Sequence, residues 1–156
     1  ALALFLTFFI MAPTFTNIYE LVAIPYMNGE IQTPDALDKA SMEIKSFMVT
    51  NTRETDLSMF AEISGAQQFY SKEEIPFSIA LPAFITSELK TAFQIGFLLF
   101  LPFLVIDMVV ASVLMSLGMM MLSPMLIALP FKILLFVLVD GWSMTVGSLV
   151  STYVTQ

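Results

Sequence analysis

Residues 102–131 read PFLVIDMVVASVLMSLGMMMLSPMLIALPF, and this stretch decides how the apolar half of the chain folds. Residues 108–131 carry no charge, and an apolar run of about 20 residues ordinarily spans a bilayer as one helix. Gly118, Pro124 and Pro130 interrupt the run. Proline usually kinks or ends a helix because it removes a backbone donor. The stretch therefore predicts two helices joined by a turn near residues 118–124.

Outward from this turn, the sequence predicts two apolar helical hairpins. One runs through residues 82–117 and the other through residues 130–154. Irregular backbone at membrane depth is tolerated only where protein or a water-filled cavity covers it, so the breaks must be covered. Residues 75–156 contain five charged side chains, which are Glu88, Lys90, Asp107, Lys132 and Asp140.

A small acidic insert separates these hairpins from a first apolar helix. Residues 1–16 carry no charge, whereas residues 17–74 carry ten acidic and four basic side chains. The opening ALALFLTFFIM has no initiator methionine, basic region or following cleavage site, which predicts the inside of a hydrophobic helix rather than a signal peptide. We expect the sequence to be a fragment or a processed chain.

The insert itself is predicted to be helical. Thr33-Pro34-Asp35 is typical of a helix start, with Thr33 as the capping hydroxyl and proline in the first turn. A second short helix is predicted through Leu57 and Ile63, ending at Gly65, with a polar loop at residues 67–74. Because each helix has a small apolar stripe, we expect the insert to pack on itself or on a neighbouring copy.

The composition excludes several classes of function. Hydrophobic residues make up 58% of the 156 residues, and charged residues make up 12%, about half of the roughly 25% found in soluble domains. The chain is therefore expected to be a membrane protein or part of an obligate apolar assembly. The absence of Cys and His removes disulfides, thiolate and imidazole chemistry and most metal sites, so no cofactor is expected. A net charge of −7 argues against nucleic acid as a partner.

Charged side chains of the apolar half are the first functional candidates, because ionisable groups at membrane depth are rare and tend to pair or to line a path. Glu88 and Lys90 are two residues apart and point to different sides of a helix. Lys132 and Asp140 lie about 12 Å apart along a helix axis, which favours partners on another segment or chain.

A polar stripe follows one face of the helix around Glu88. It fits hydrogen bonding between packed helices, and it also fits a water-lined passage. For Asp107 and Asp140 the simpler interpretation is a paired carboxylate that holds an orientation. The stripe consists of Ser87, Lys90, Thr91 and Gln94.

Catalysis is not expected. Without His or Cys, nucleophilic triads are excluded. Asp140-Gly141 resembles half of an intramembrane aspartyl-protease signature, but no second Asp has a matching context. No serine near Lys90 or Lys132 lies in a Gly-rich elbow.

Three long stretches carry a resemblance to a known family. They read PAFITSELKTAFQIGF at 82–97, PFLVIDMVVASVLMSLGMMML at 102–122 and ALPFKILLFVLVDGW at 128–142. With the opening LALFLTFFIMAP and NTRETDLSMF at 51–60, they resemble the FliP family of flagellar type III export-gate proteins. Members of this family typically carry a cleaved signal peptide and another hydrophobic segment first, so we expect the first helix to be incomplete. The injectisome counterpart is a close relative, but SELKTAFQIGF and GMMM followed by SP resemble the flagellar branch.

The resemblance implies an all-α fold of integral-membrane-type hairpins that assemble into a cone-shaped export gate. In the family, five copies assemble with FliQ and FliR, FlhB wraps onto the gate, FlhA lies nearby, and unfolded flagellar subunits pass through. Apolar segments are lifted into the cone inside the basal-body ring. The expected location is therefore the bacterial inner membrane and flagellar basal body, with the insert and much of the gate on the periplasmic side. The acidic insert fits that side, because positively charged loops favour the cytoplasm.

Within such a cone, three consecutive methionines of each copy are expected to converge on the axis and seal it. Flexible, polarizable thioethers can close against water and then reshape around a passing chain, whereas branched side chains are stiffer. The alternative is that the run only packs the hairpin. The seal would consist of Met119, Met120 and Met121, and the turn that projects it of Gly118, Ser123 and Pro124.

Glu88 and Lys132 are expected to pair between neighbouring copies, since both lie in matched stretches, in apolar surroundings and without an obvious local partner. Two other functions remain open. One is an ion-conducting transporter subunit in which the acids at 88, 107 and 140 relay protons, and the other is a scaffold without a pore. Buried polar or charged support is expected from Lys90, Gln94, Asp107 and Asp140.

Overall fold

Every secondary-structure element in the described part of the chain is helical, which confirms the all-α prediction. The computed structural model describes residues 1–65, 69, 71 and 74–153. Two compact units are present: unit 1 contains Ala1–Lys90 and Tyr153, and unit 2 contains Thr91–Thr152.

The first apolar helix is longer than the charge pattern indicated. Helix α1 (Leu2–Ile18) continues through a π-helical turn (Tyr19–Ala23) into α2 (Ile24–Met27). The π-helical turn ends two residues before Pro25, whose missing N–H removes a helical hydrogen bond at that point. The helix therefore extends past residue 16, and polar residues such as Glu20 lie within it rather than in the insert.

Two helices form the insert, as predicted. Helix α3 (Thr33–Thr50) has proline in its first turn, but its N-cap is Gln32 and no side chain caps it. The capping role expected for Thr33 is wrong, because its hydroxyl instead lies 3.3 Å from the hydroxyl of Tyr26. Helix α4 (Glu54–Ile63) ends as expected before Gly65, which has a φ of +70°. Most of the predicted loop at 67–74 lies outside the described residues.

The core of unit 1 joins the insert to the start of the long helix α5 (Phe77–Ser116). Met48 and Val49 of α3 pack with Ile79 and Ala80 of α5. The expectation that the insert packs on itself or on another copy is therefore wrong in part. Its own apolar stripes are small, and the chain supplies the missing surface from α5. The buried face of α5 is formed by Ile79, Ala80, Ala83 and Ser87.

The apolar half breaks in two places. Helix α5 ends at Ser116, and α6 (Pro124–Leu138) begins at Pro124, so the predicted turn at 118–124 is confirmed. Pro130 lies inside α6 without ending it. The second hairpin, expected through residues 130–154, begins earlier, at Pro124, and its two helices α6 and α7 (Gly141–Ser151) are bent by 61° at Val139 and Asp140.

The packing around Phe136 accounts for this second break. Asp140 has a φ of +50°, in the left-handed region that L-residues rarely adopt. Gly141 follows it, and a Cβ at that position would overlap the Phe136 ring. The ring also packs edge-on against Trp142, with centroids 5.5 Å apart. A bend here lets Phe136 occupy the space beside the backbone of Gly141.

Among the described residues, two helices are long and apolar enough to cross a membrane. They are Leu2–Met27 and Phe77–Ser116, and the bent pair Pro124–Leu138 and Gly141–Ser151 makes a third candidate if it counts as one span. Two to three candidate spans agree with the predicted membrane-type hairpins.

Candidate gate turn and its supporting charges

The backbone closes α5 with a recognised C-terminal motif. The N–H of Gly118 donates to the carbonyl of Met115 at 3.1 Å, and the N–H of Met119 donates to that of Leu114 at 3.0 Å. These two bonds define a Schellman motif, in which the left-handed position is usually glycine. Gly118 holds that position with a φ of +72°. The reversal of the chain is therefore fixed by backbone hydrogen bonds.

The other side of the turn is equally defined. The N–H of Leu122 donates to the carbonyl of Met119 at 3.3 Å. Ser123 is the N-cap of α6 in an extended conformation, and its side chain makes no capping hydrogen bond. Pro124 occupies the first turn of α6, where a missing N–H costs nothing because that position has no helical acceptor.

The three methionines project from this turn. Met119 is 46% exposed, Met120 82% and Met121 98%. Within the described residues, almost nothing covers the last two side chains. Neighbouring apolar side chains of the turn and of the start of α6 are exposed as well, namely Leu117, Leu122, Met125 and Leu126. In a membrane-type chain, either lipid or another protein covers such side chains.

Lys132 has a partner inside the chain. Its Nζ lies 2.7 Å from Oδ2 of Asp107, and the two side chains are 23% and 34% exposed. The pair joins α6 to α5 within unit 2. The partner is 25 residues away in sequence, which agrees with the expectation of a partner on another segment rather than nearby on the same helix.

Glu88 also has a partner, in unit 1. The hydroxyl of Tyr153 donates to Oε2 of Glu88. The positive charge of Arg53 acts on the same carboxylate. Beside it, the backbone N–H of Arg53 donates to Oγ of Ser87 at 3.2 Å, which attaches the α3–α4 connection to α5. Glu88 and Lys132 thus lie in different units, each with a partner in its own, and their pairing between copies stays a prediction.

The remaining support residues divide by exposure. Asp107 is half-buried and paired, as expected of a carboxylate that holds an orientation. Lys90, Gln94 and Asp140 are exposed in the single chain, so their burial in an assembly stays a prediction. In the described part of the chain, no group of three or more acidic side chains is arranged to hold a metal ion.

The sequence did not point to Tyr153, Arg53 or Phe136. For Arg53 a signal exists, since it is the single basic residue of the matched stretch NTRETDLSMF. Tyr153 contacts Glu88 and Phe47, which are distant in sequence, and Phe136 packs against Gly141 at the bend. No local sequence pattern indicates either contact.

Comparison with known proteins decides the family. The model of the FliP family matches residues 1–149 of the 156. This chain belongs to the FliP family. It is 61% identical over 153 residues to the flagellar biosynthetic protein FliP of Cereibacter sphaeroides, and 57% identical over 152 residues to that of Bacillus subtilis. The FliP of Aquifex aeolicus is 48% identical over 155 residues.

These matches cover nearly all of this chain but not all of its relatives. They include 98%, 97% and 98% of the chain, and 51%, 69% and 65% of the Cereibacter, Bacillus and Aquifex proteins. FliP-family proteins are components of the flagellar export apparatus without enzymatic activity, which confirms the flagellar and non-enzymatic predictions at the level of the family.

Proposed function

We propose that the chain is a structural and gating subunit of the flagellar type III export pore. The turn at residues 117–123 would close the passage until an unfolded flagellar subunit enters it. The observation that carries the proposal is the nearly complete exposure of Met120 and Met121 on a turn fixed by backbone hydrogen bonds.

The chemistry of the turn suits a seal. Thioether side chains exclude water, and their unbranched, flexible stems can pack against one another or around a passing chain of any sequence. Gly118 and Pro124 define the backbone on either side, so the methionines can move while the frame that carries them stays in place.

The proposal includes an assembly, because a single turn cannot close a passage. Several copies, five in the family, would combine with FliQ and FliR, with FlhB and FlhA nearby and a basal-body ring around them. The exposed apolar side chains of α5 and α6 support this, since lipid or neighbouring subunits must cover them. We place the gate in the bacterial inner membrane and basal body, largely on the periplasmic side.

Glu88 and Lys132 remain our candidates for pairing between copies. In the single chain, Glu88 accepts from the Tyr153 hydroxyl and Lys132 donates to Asp107, so a pair between copies would add to these contacts or replace them. Exchange of the two charges tests the pairing through the yield of assembled gate. Glu88→Lys or Lys132→Glu alone should lower the yield, and the double exchange should restore it. If the double variant assembles no better than either single variant, the pairing is wrong.

Ion leak across membranes that contain the assembled gate tests the seal. We expect replacement of Met119, Met120 and Met121 by Ala to open a clear leak, because alanine leaves a gap where the thioethers met. The matched control replaces three other exposed methionines, Met27, Met42 and Met59, and should not leak.

Both variants must first assemble to the level of the unmodified gate. If the complex that lacks all three turn methionines is then intact and does not leak, the methionines do not form the seal. Met119, Met120 and Met121 would then only pack the hairpin, and the chain would be a scaffold without a pore.

A further inference from the structure

We propose that Tyr153 is a latch that fastens the segment after α7 to unit 1, with Glu88 as its acceptor. Tyr153 follows α7 by two residues, but it packs with unit 1. The proposal concerns this contact alone and does not rest on the methionine seal.

The aromatic half of the latch is a stack of rings. The Tyr153 and Phe47 rings lie 6.2 Å apart between centroids, with their planes 4° from parallel. On its own side, Phe47 contacts Phe84 at 6.0 Å with the planes at 63°. Phe47 belongs to α3 and Phe84 to α5, so the ring of Tyr153 packs on a surface that two helices of unit 1 build together.

The polar half is a charge-assisted hydrogen bond. Glu88 lies one helical turn after Phe84 on α5, which places its carboxylate within reach of the hydroxyl at the far end of the Tyr153 ring. Hydrogen bonds to an ionised acceptor are roughly twice as strong as neutral ones. A side chain needs both a flat ring and a terminal donor to use this site fully, and tyrosine offers both.

The latch also satisfies Glu88. A half-buried carboxylate in apolar surroundings is costly unless a donor or a positive charge compensates it. Glu88 has both, the Tyr153 hydroxyl and the charge of Arg53. Any other partner for Glu88 must therefore share the carboxylate with the Tyr153 hydroxyl or displace it. The latch would keep the acid satisfied in a free chain.

Hydrogen exchange of the chain in lipid nanodiscs tests the latch. Tyr153→Phe keeps the ring and removes the hydroxyl, and Tyr153→Leu removes both. We expect Tyr153→Phe to speed exchange at the amides of residues 150–153 by about tenfold. This factor corresponds to the loss of one hydrogen bond to a charged group. Tyr153→Leu should speed it further. Tyr26→Phe is the matched control, since it removes a hydroxyl that pairs with Thr33, and it should leave these amides unchanged.

Each outcome decides the latch. Unchanged exchange in Tyr153→Phe would overturn the hydroxyl–carboxylate bond, even if Tyr153→Leu loosened the segment. Unchanged exchange in both would overturn the latch altogether. Protection of the amides of α3 and α4 reports that unit 1 is folded. Should Tyr153→Phe fail that check, Glu88→Leu replaces it, because leucine removes the acceptor, and exchange should again become faster. No increase in a folded Glu88→Leu variant would then overturn the latch.

Discussion

The turn at 117–123 and the break at 139–140 interrupt the same apolar half in opposite ways. In the turn, Gly118 holds a positive φ with open space around it, and the side chains that follow point outward. In the break, Asp140 holds the positive φ, and the glycine beside it is buried against Phe136. The turn is built to present side chains, and the break is built to let one ring pack. In the turn, glycine is needed because the backbone has a positive φ. In the break, it is needed because the Phe136 ring approaches the backbone too closely for a Cβ.

The largest effect is expected from Gly141→Ala. The added Cβ would overlap the Phe136 ring, and overpacking of this kind costs about 1–3 kcal/mol. Denaturant unfolding of the chain in detergent should show the loss of stability. Gly147→Ala, also in α7 but with open space around it, should cost nothing or stabilise slightly. Adding Phe136→Leu to Gly141→Ala should recover part of the loss, and an unaffected single variant would show that the ring does not need this space.

Gly118→Ala should have a smaller effect on stability. The position has room for a Cβ, so the cost is that of a left-handed L-residue, about 1–2 kcal/mol. Gly29→Ala is the matched control, because Gly29 has a φ of +75° and equally open surroundings. Both variants should lose similar stability in unfolding measurements, but Gly118→Ala alone should make the assembled gate leak. Equal leak from both would show that the geometry of the turn is irrelevant to the seal.

The smallest effect is expected from Asp140→Gly. Glycine relieves the left-handed strain at the break but gains conformational freedom in the unfolded chain, so the net change should stay within about 1 kcal/mol and favour the folded state. Thermal unfolding of the assembled gate measures it. A large loss of stability would mean that the Asp140 side chain, rather than its backbone, holds the bend.

The turn at 117–123 could be predicted from its local sequence, whereas the break at 139–140 could not. Gly118 and Pro124 act through their own backbone chemistry, which can be read from the sequence alone. The break depends on where Phe136 packs, and the local sequence Asp140-Gly141 resembles only half of a protease signature. Pro130 misled the prediction because a membrane-type helix can absorb one missing hydrogen bond when its neighbours are intact.

The charged residues show the same limit. Asp107, Lys132 and Glu88 were recognised as unusual because charges are rare in apolar helices, but their partners were not. Lys132 meets a residue 25 positions away, and Glu88 meets one 65 positions away. Periodicity reports which residues share one face of a helix and says nothing about the facing element. These residues could therefore be singled out from the sequence, whereas their contacts required the fold.

The Schellman closure of α5 has a consequence for the speed of the gate. If the seal opens through the methionine side chains while the hydrogen-bonded turn stays intact, no helix has to unwind when a subunit passes. Rotamer changes of exposed side chains take picoseconds to nanoseconds, whereas helix and domain movements take microseconds or longer. Such a gate would reclose behind the trailing end of a cargo almost at once, so the membrane would hold its ion gradients between one exported subunit and the next.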